Sequence, residues 1–413
     1  MECISMSKKK KSSKKSSKKH FSVIVPVLIA VVVVVVFAIT GNMNNKNNNI
    51  QTTDSNQAAV TQPSTNNEPQ ENKPDGKVTL VAVGDNLIHN TMIAAGKQSG
   101  GSYNYDRFYE NTKSYIESAD IAVINQETML GGTVSAYSGY PMFNTPWEVG
   151  EAAINAGFDV FTCATNHSMD VGEKGIVSEC EFFKKHPEVT HIGTYSSQDE
   201  YDTVSYVTKN GITFAMLNYT YGTNGISIPS GKSYLISVLS EDKVKKDVAQ
   251  AKKNADVIIV LPHWGTENSH QTDATQKKYV QLFSDLGVDI VIGTHPHVLQ
   301  PVEWVTNENT GKKMLVYYSI GNFISHQVNL DQLVGGMAEI TVERNNAVIS
   351  ITNAKLAPVV DYFHNTGSGY NFTVYKLCDY TKQIASTHSK SLSPDKAKSI
   401  AQSAVSDEFL DLE

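Results

Sequence analysis

Five separate apolar runs in this chain each end in a residue able to ligate a metal or move a proton. Residues 77–84 (KVTLVAVG) are followed by Asp85, and residues 121–124 (IAVI) by Asn125, Gln126 and Glu127. Residues 158–164 lead to Thr165, Asn166 and His167, residues 257–262 to His263, and residues 288–293 to Thr294, His295, Pro296 and His297. Near-continuous apolar runs separated by amphipathic stretches predict α/β architecture, with sheets covered on both faces. In such sheets ligands gather outside the carboxyl ends of the strands, so five such endings predict one convergent site.

Taken singly, each ending has a plainer explanation. A strand-end Asp is more often a turn or N-cap residue, and an isolated His a satisfied polar group. The His295-Pro296-His297 pair is more specific, because alternate residues need a particular bend to aim both rings at one ion, and proline helps to fix it. Asp85, Glu127, Asn166, His167, His263, His295 and His297 form a nitrogen and oxygen set without a thiolate. That chemistry suits Zn, Mn or Fe at a hydrolytic site rather than a thiolate structural zinc. The chain carries no P-loop, no G-x-S-x-G elbow and no dinucleotide fingerprint in a strand–helix context. Cys163 lies in an apolar run and reads as core. Cys163, Cys180 and Cys378 have no framework spacing, so inert thiols are expected, with one disulfide as the alternative.

The N-terminus constrains topology. Lys8, Lys9, Lys10, Lys11, Lys14, Lys15, Lys18 and Lys19 make residues 1–20 a basic tail, and residues 21–40 are uncharged. A helix of that length spans roughly 30 Å, the hydrocarbon thickness of a bilayer. Lysines before the span place the tail in the cytoplasm and the rest outside, as a single-pass cell-membrane protein. The expectation is an uncleaved anchor. A signal peptide is the alternative, opposed by the length of the span and the lack of a small-x-small cleavage site. Residues 41–76 are polar and poor in apolar residues, which predicts a disordered tether. Of 35 basic and 42 acidic residues, 10 and 5 fall within residues 1–76, so the remainder carries a net charge of about −12. Such a domain is a poor nucleic-acid binder, because that affinity comes from neutralising phosphates. One large domain is expected over residues 77–390, including hairpins at 201–218 and 336–353, then a tail at 391–413 with a short helix at 394–405.

Six stretches carry a resemblance: VAVGDNLIHN (81–90), INQET (124–128), ATNHSMDVGEKGI (164–176), HWGTE (263–267), GTHPHVLQPVE (293–303) and YYSIGNFI (317–324). In order and content they resemble the CapA family of capsule, or poly-γ-glutamate, synthesis proteins, whose fold is similar to that of the calcineurin-like metallophosphoesterases. The resemblance covers about residues 77–360. It implies a four-layer α/β/β/α sandwich and a role in synthesis, export or anchoring of a γ-linked glutamate polymer. An anionic polymer and membrane synthase subunits are the implied partners. Carried over by motif, Asp85, Glu127, Asn166, His263, His295 and His297 become candidate ligands for one or two divalent ions, and His167 a general acid.

The pattern departs from the metallophosphoesterases at its opening, where Asp85-Asn86-Leu87 replaces their usual Asp-x-His. Glu127 stands where an aspartate usually bridges two metals. His89 would share a face with Asp85 if a helix started there; otherwise it is a first-turn surface residue. Asp170 would either orient His167 or cap the following helix. Trp264 and Glu267 are candidates to line a groove, with the core as the alternative for Trp264, and Asn322 could offer an amide to substrate or ligand. Two classes of function follow: a metal-dependent hydrolase or transferase acting on a phosphoester or γ-glutamyl amide, and a catalytically silent polymer-binding subunit of a membrane synthase.

Overall fold

The apolar runs pair into two mixed sheets within residues 74–413, the part of the chain that the computed structural model describes. The expected basic tail, the anchor at 21–40 and the tether up to residue 73 lie outside the described residues. Among the described residues no helix is long and apolar enough to cross a membrane.

In chain order the strands are β1 (Gly76–Asn86), β2 (Ile121–Asn125), β3 (Val160–Thr162), β4 (Thr190–Ile192), β5 (Ser205–Lys209), β6 (Ile212–Thr220) and β7 (Val257–His263). They continue with β8 (Ile290–Ile292), β9 (Val302–Thr306), β10 (Lys313–Tyr317), β11 (Asn322–Ile324), β12 (Val334–Asn345), β13 (Val348–Asn365) and β14 (Tyr370–Lys376). The helices are α1 (Asn90–Gly96), α2 (Lys113–Glu117), α3 (Trp147–Asn155), α4 (Glu173–Lys184), α5 (Gln198–Asp202), α6 (Glu241–Ala251), α7 (Ala274–Asp285), α8 (Lys382–Thr387) and α9 (Pro394–Ala404).

The first sheet has the order β14-β13-β12-β1-β2-β3-β4, with β11 paired to the end of β1. The second runs β5-β6-β7-β8-β10-β9. Strands β1 to β4 are mutually parallel, as are β6, β7, β8 and β10, while hairpin strands border both sets. Alternation along each strand decides which sheet face meets which layer. Ala82 and Val123 of the first sheet face Leu261 and Ile292 of the second across one small void. On the outer face of the first sheet, Phe161 packs on Phe183 of α4 with ring centroids 5.1 Å apart. On the outer face of the second, Leu217, Val260 and Val316 share an apolar cluster with Val248 of α6 and Phe283 of α7.

Both expected hairpins form. Asn210 and Gly211 take left-handed φ of 48° and 79° in a two-residue turn between β5 and β6. Asn346 and Ala347 do the same between β12 and β13, and β13 continues to Asn365. Residues 391–413 are built into the main body: Ile400 and Phe409 join the central core, and Leu356 N donates to Phe409 O (2.7 Å). Among the described residues Cys163, Cys180 and Cys378 form no disulfide, and the first two are buried.

One irregularity aims the site. Between Val83 and Asp85 the pairing of β1 with β2 slips by a residue, leaving Gly84 in a bulge. Gly84 has no side chain to spare, since a Cβ there would lie 1.8 Å from Gly321 O, the carbonyl that accepts from Asp85 N at 3.1 Å. Gly84→Ala should therefore lower the denaturant midpoint, at a cost of ~1–3 kcal/mol, as backbone must shift to relieve the overlap. An unchanged midpoint on the full-length protein would contradict this.

Candidate metal centre

Parallel pairing brings the carboxyl ends of β1, β2 and β3 to the same rim as those of β7 and β8, and the candidate ligands follow these ends. Asp85 is fully buried; Asn125 Nδ2 donates to its Oδ1 (2.8 Å), and its Oδ2 lies 3.0 Å from His297 Nδ1. The His295 N–H points at the same carboxylate, 3.4 Å from each oxygen. His295 and His297 both have left-handed φ, 97° and 60°, a conformation that costs non-glycine residues energy and concentrates at functional sites. It places the two rings 5.8 Å apart and sets His295 4.8 Å from the His263 ring.

Glu127 lies between these groups. It is buried, and among the described residues neither carboxylate oxygen has a hydrogen-bond partner. Its Oε1 is 3.7 Å from His263 Nε2 and its Oε2 is 3.7 Å from His297 Nδ1. Donor atoms of Asp85, Glu127 and His297 lie within 4.8 Å of one another, as do those of Glu127, His263 and His295. Glu267 forms a third such group with His295 and His297 from the exposed side. Asn166 Oδ1 faces His263 Nε2 at 2.9 Å, and Thr294 Oγ1 lies 3.0 Å from His263 Nδ1. Asp85, Glu127, Asn166, His263, His295 and His297 thus come together as one group.

The electrostatics fit a cation. Burial raises the Glu127 carboxyl well above the usual range, Asp85 and Glu267 add to this, and His297 opposes it. Burial and neighbouring imidazoles push His263 well down and His295 to about 3, so both rings are neutral, the form that ligates. Burial also pulls on His297, but Glu127 and Asp85 outweigh it and hold that ring at about 9. Unpartnered oxygens on Glu127 and an unpartnered Nδ1 on His295 are costly in a dry interior. A nitrogen and oxygen donor set of this kind fits Zn, Mn or Fe.

His167 belongs to none of these donor groups. Its Nδ1 lies 2.7 Å from Asp170 Oδ2, which also accepts from Phe143 N (2.7 Å), and the Phe143 ring packs edge-on at 4.6 Å. Asp170 orients His167 and does not cap a helix, since Gly172 is the N-cap of α4. His89 departs from the sequence expectation. Helix α1 begins only at Asn90, so His89 shares no helical face with Asp85, and its Nδ1 faces Leu87 O (3.0 Å) and the His326 N–H (3.2 Å). Asn322 turns its amide inward, Nδ2 donating to Gln327 and to Gln332 O, while Oδ1 faces His297 Nδ1 at 3.1 Å; it holds a ring rather than a substrate. Trp264 is core, fully buried with its indole donating to Tyr318 O.

The same strand-end rule covers β6, whose following loop carries Tyr221 and Asn224. Tyr221 packs on the His295 ring at 4.7 Å, and Asn166 Nδ2 donates to Asn224 Oδ1 (3.3 Å). Neither stands out by residue type. Cys163, Glu179 and His191 form another close group, but a satisfied one: Glu179 accepts from Leu130 N (3.1 Å) and Thr194 Oγ1 (2.6 Å).

Residues 79–327 match the family described as bacterial capsule synthesis protein PGA_cap. The PGA biosynthesis protein CapA of Bacillus subtilis (strain 168) is 34% identical over 181 residues, which are 41% of this chain and 43% of that one. The capsule biosynthesis protein CapA of Bacillus anthracis is 26% identical over 267 residues, 63% and 62% of the respective chains. The chain thus spans less than two thirds of either curated relative. Among solved structures, the Haemophilus influenzae NAD nucleotidase NadN overlaps 82% of this chain and 64% of its own, with TM-score 0.44 and 14% identity. The calcineurin-like phosphoesterase YfkN of Bacillus subtilis overlaps 80% and 97%, with TM-score 0.38 and 14% identity.

Burial raises Glu179 from 4.5 to about 7. Between those values the folded chain binds more protons than the unfolded one, so this group makes stability fall as pH rises through that window. Glu179→Gln should flatten the slope, read as denaturant midpoints at about pH 5 and about pH 7.5. An unaltered slope would show that Glu179 is ionised in the folded state.

Proposed function

The chain belongs to the bacterial capsule synthesis family PGA_cap, and from that premise we propose that its domain is a metal-dependent hydrolase or transferase acting in poly-γ-glutamate capsule biosynthesis. The observation that carries this reading is Glu127, a buried carboxylate with no hydrogen-bond partner among the described residues, whose two oxygens face His263 and His297 separately. Asp85, Glu127 and His297 would hold one divalent ion, and Glu127, His263 and His295, with Asn166, a second. Bound there, such ions supply Lewis-acid polarisation and offset charge on a phosphoester or amide oxygen. The chain itself supplies the proton. His167, held by Asp170 and braced by Phe143, donates to the leaving group, and Asp170 fixes which ring nitrogen carries the transferable proton.

The domain is proposed to work outside the cytoplasm, anchored through residues 21–40. Support comes from the lysine cluster and the uncharged span that follows it. Protease added to intact cells stripped of wall should remove the domain; survival of the domain, with digestion in lysed cells, would reverse the orientation.

Removing a ligand and removing an acid have different signatures. His295→Ala should lower metal content, measured by mass spectrometry, together with activity. His167→Ala should keep the metal and lose activity by about 10²–10⁴-fold, less with a substrate whose leaving group needs no proton. If metal binds and neither a phosphoester nor a γ-glutamyl amide is turned over, the domain is a silent polymer-binding subunit instead.

A further inference from the structure

The large apolar side chains exposed among the described residues are Val134, Tyr140, Met142, Tyr221, Val328 and Val348. Single exposed apolar residues are ordinary on a protein surface, but four of these six, Tyr140, Met142, Tyr221 and Val328, adjoin residues in or beside the centre, in space or in sequence. Tyr221, 43% exposed, rests on His295 with ring centroids 4.7 Å apart. Tyr140, 73% exposed, lies 6.5 Å from Phe143, the ring that braces His167, and Met142 adjoins Phe143 in sequence. Val328 follows Gln327, which accepts from the Asn322 amide whose oxygen faces His297. The two tyrosines come from different sheets: Tyr140 from the connection after β2, Tyr221 from the loop after β6.

We propose that Tyr221 and Tyr140 are substrate-contacting residues on the two sides of a groove over the metal centre, and that they grip the uncharged backbone of a γ-linked glutamyl chain. The proposal rests on the functional reading above and adds the part of the substrate that is recognised, and by what. Neither tyrosine carries a charge, and neither do Met142 and Val328, so these positions offer nothing to attract carboxylates. The buried Asp85, and Glu267 on the exposed side, disfavour anions until cations are bound. What the rim does offer is flat amphipathic surface, suited to planar amides and the methylenes between them. Tyr221 is also held in place: its hydroxyl donates to Asn224 Oδ1 (3.4 Å), the oxygen that accepts from Asn166 Nδ2. A ligand touching both tyrosines has to reach from the connection after β2 to the loop after β6, so a chain of several residues should bind more tightly than one residue.

The test is calorimetric binding of γ-linked tetraglutamate, and of free glutamate, to the full-length protein in detergent, with metal content measured on the same samples. Wild type should prefer the tetramer. Tyr221→Ala and Tyr140→Ala should each weaken tetramer binding about tenfold, leave free glutamate unaffected and keep the metal. Tyr221→Phe should bind like wild type, because the ring and not the hydroxyl makes the contact. Unchanged tetramer affinity in both alanine variants overturns the proposal. Loss of metal in Tyr221→Ala also overturns it, by making the ring a support for His295. A metal-loaded wild type that ignores the tetramer removes the groove while leaving the metal centre standing.

Discussion

A carboxylate buried without a hydrogen-bond partner is costly in a protein interior, and Glu127 is one among the described residues, placed beside a second buried carboxylate, Asp85. Much of the centre can be understood as an answer to that pair. Asp85 is steadied by Asn125, by the His295 N–H and by His297. Without a cation the same negative charge outweighs burial and holds a proton on His297, which a metal ion would displace. Glu127 accepts no hydrogen bond from the described residues, and the His297 ring, 3.7 Å from its Oε2, is what offsets its charge. Its two oxygens look toward different histidines, so neutralisation from outside would most naturally come at two positions.

The scaffold accepts local distortion to keep this arrangement. A bulge at Gly84 lets the Gly321 carbonyl approach β1, so that Asp85 donates to it directly. The two histidines around Pro296 adopt left-handed backbone, which the Asn268 N–H to Pro296 O bond (2.8 Å) and the Asp85 contacts hold in place. Strain concentrated at the two candidate ligands, beside well-paired parallel strands, is the expected signature of a site that outranks local preference. The contrast with Glu179 is instructive: equally buried, it has both oxygens satisfied and serves as an internal strut.

Much of this was legible in the sequence because buried parallel strands are continuous apolar runs, and their last residues declare the chemistry. Asp85, Asn166, His263 and the two histidines around Pro296 could be found that way. The position of His89 could not, since it depended on where a helix starts, and the chain delays α1 until Asn90. The alternatives left open for Asp170 and Trp264 were settled by packing: Phe143 N and His167 claim the carboxylate, and Tyr318 O claims the indole. Tyr221 and Asn224 were hidden because β6 reads as one arm of a hairpin, although its other edge is parallel to β7. A strand's partner on the far side is a tertiary fact that periodicity does not carry.

The contact between Asp85 and His297 joins residues 212 positions apart in the chain. Loop closure on that scale is entropically expensive, and folds dominated by such pairings form slowly. During synthesis, the first ligand strand emerges long before the last and must wait for it with its carboxylate uncompensated. Residues further on matter too, because Phe409 and Leu410 are stitched to β13, more than fifty residues before them. A centre drawn from such distant segments is a late event in folding, and an intact one reports that the whole domain has been assembled.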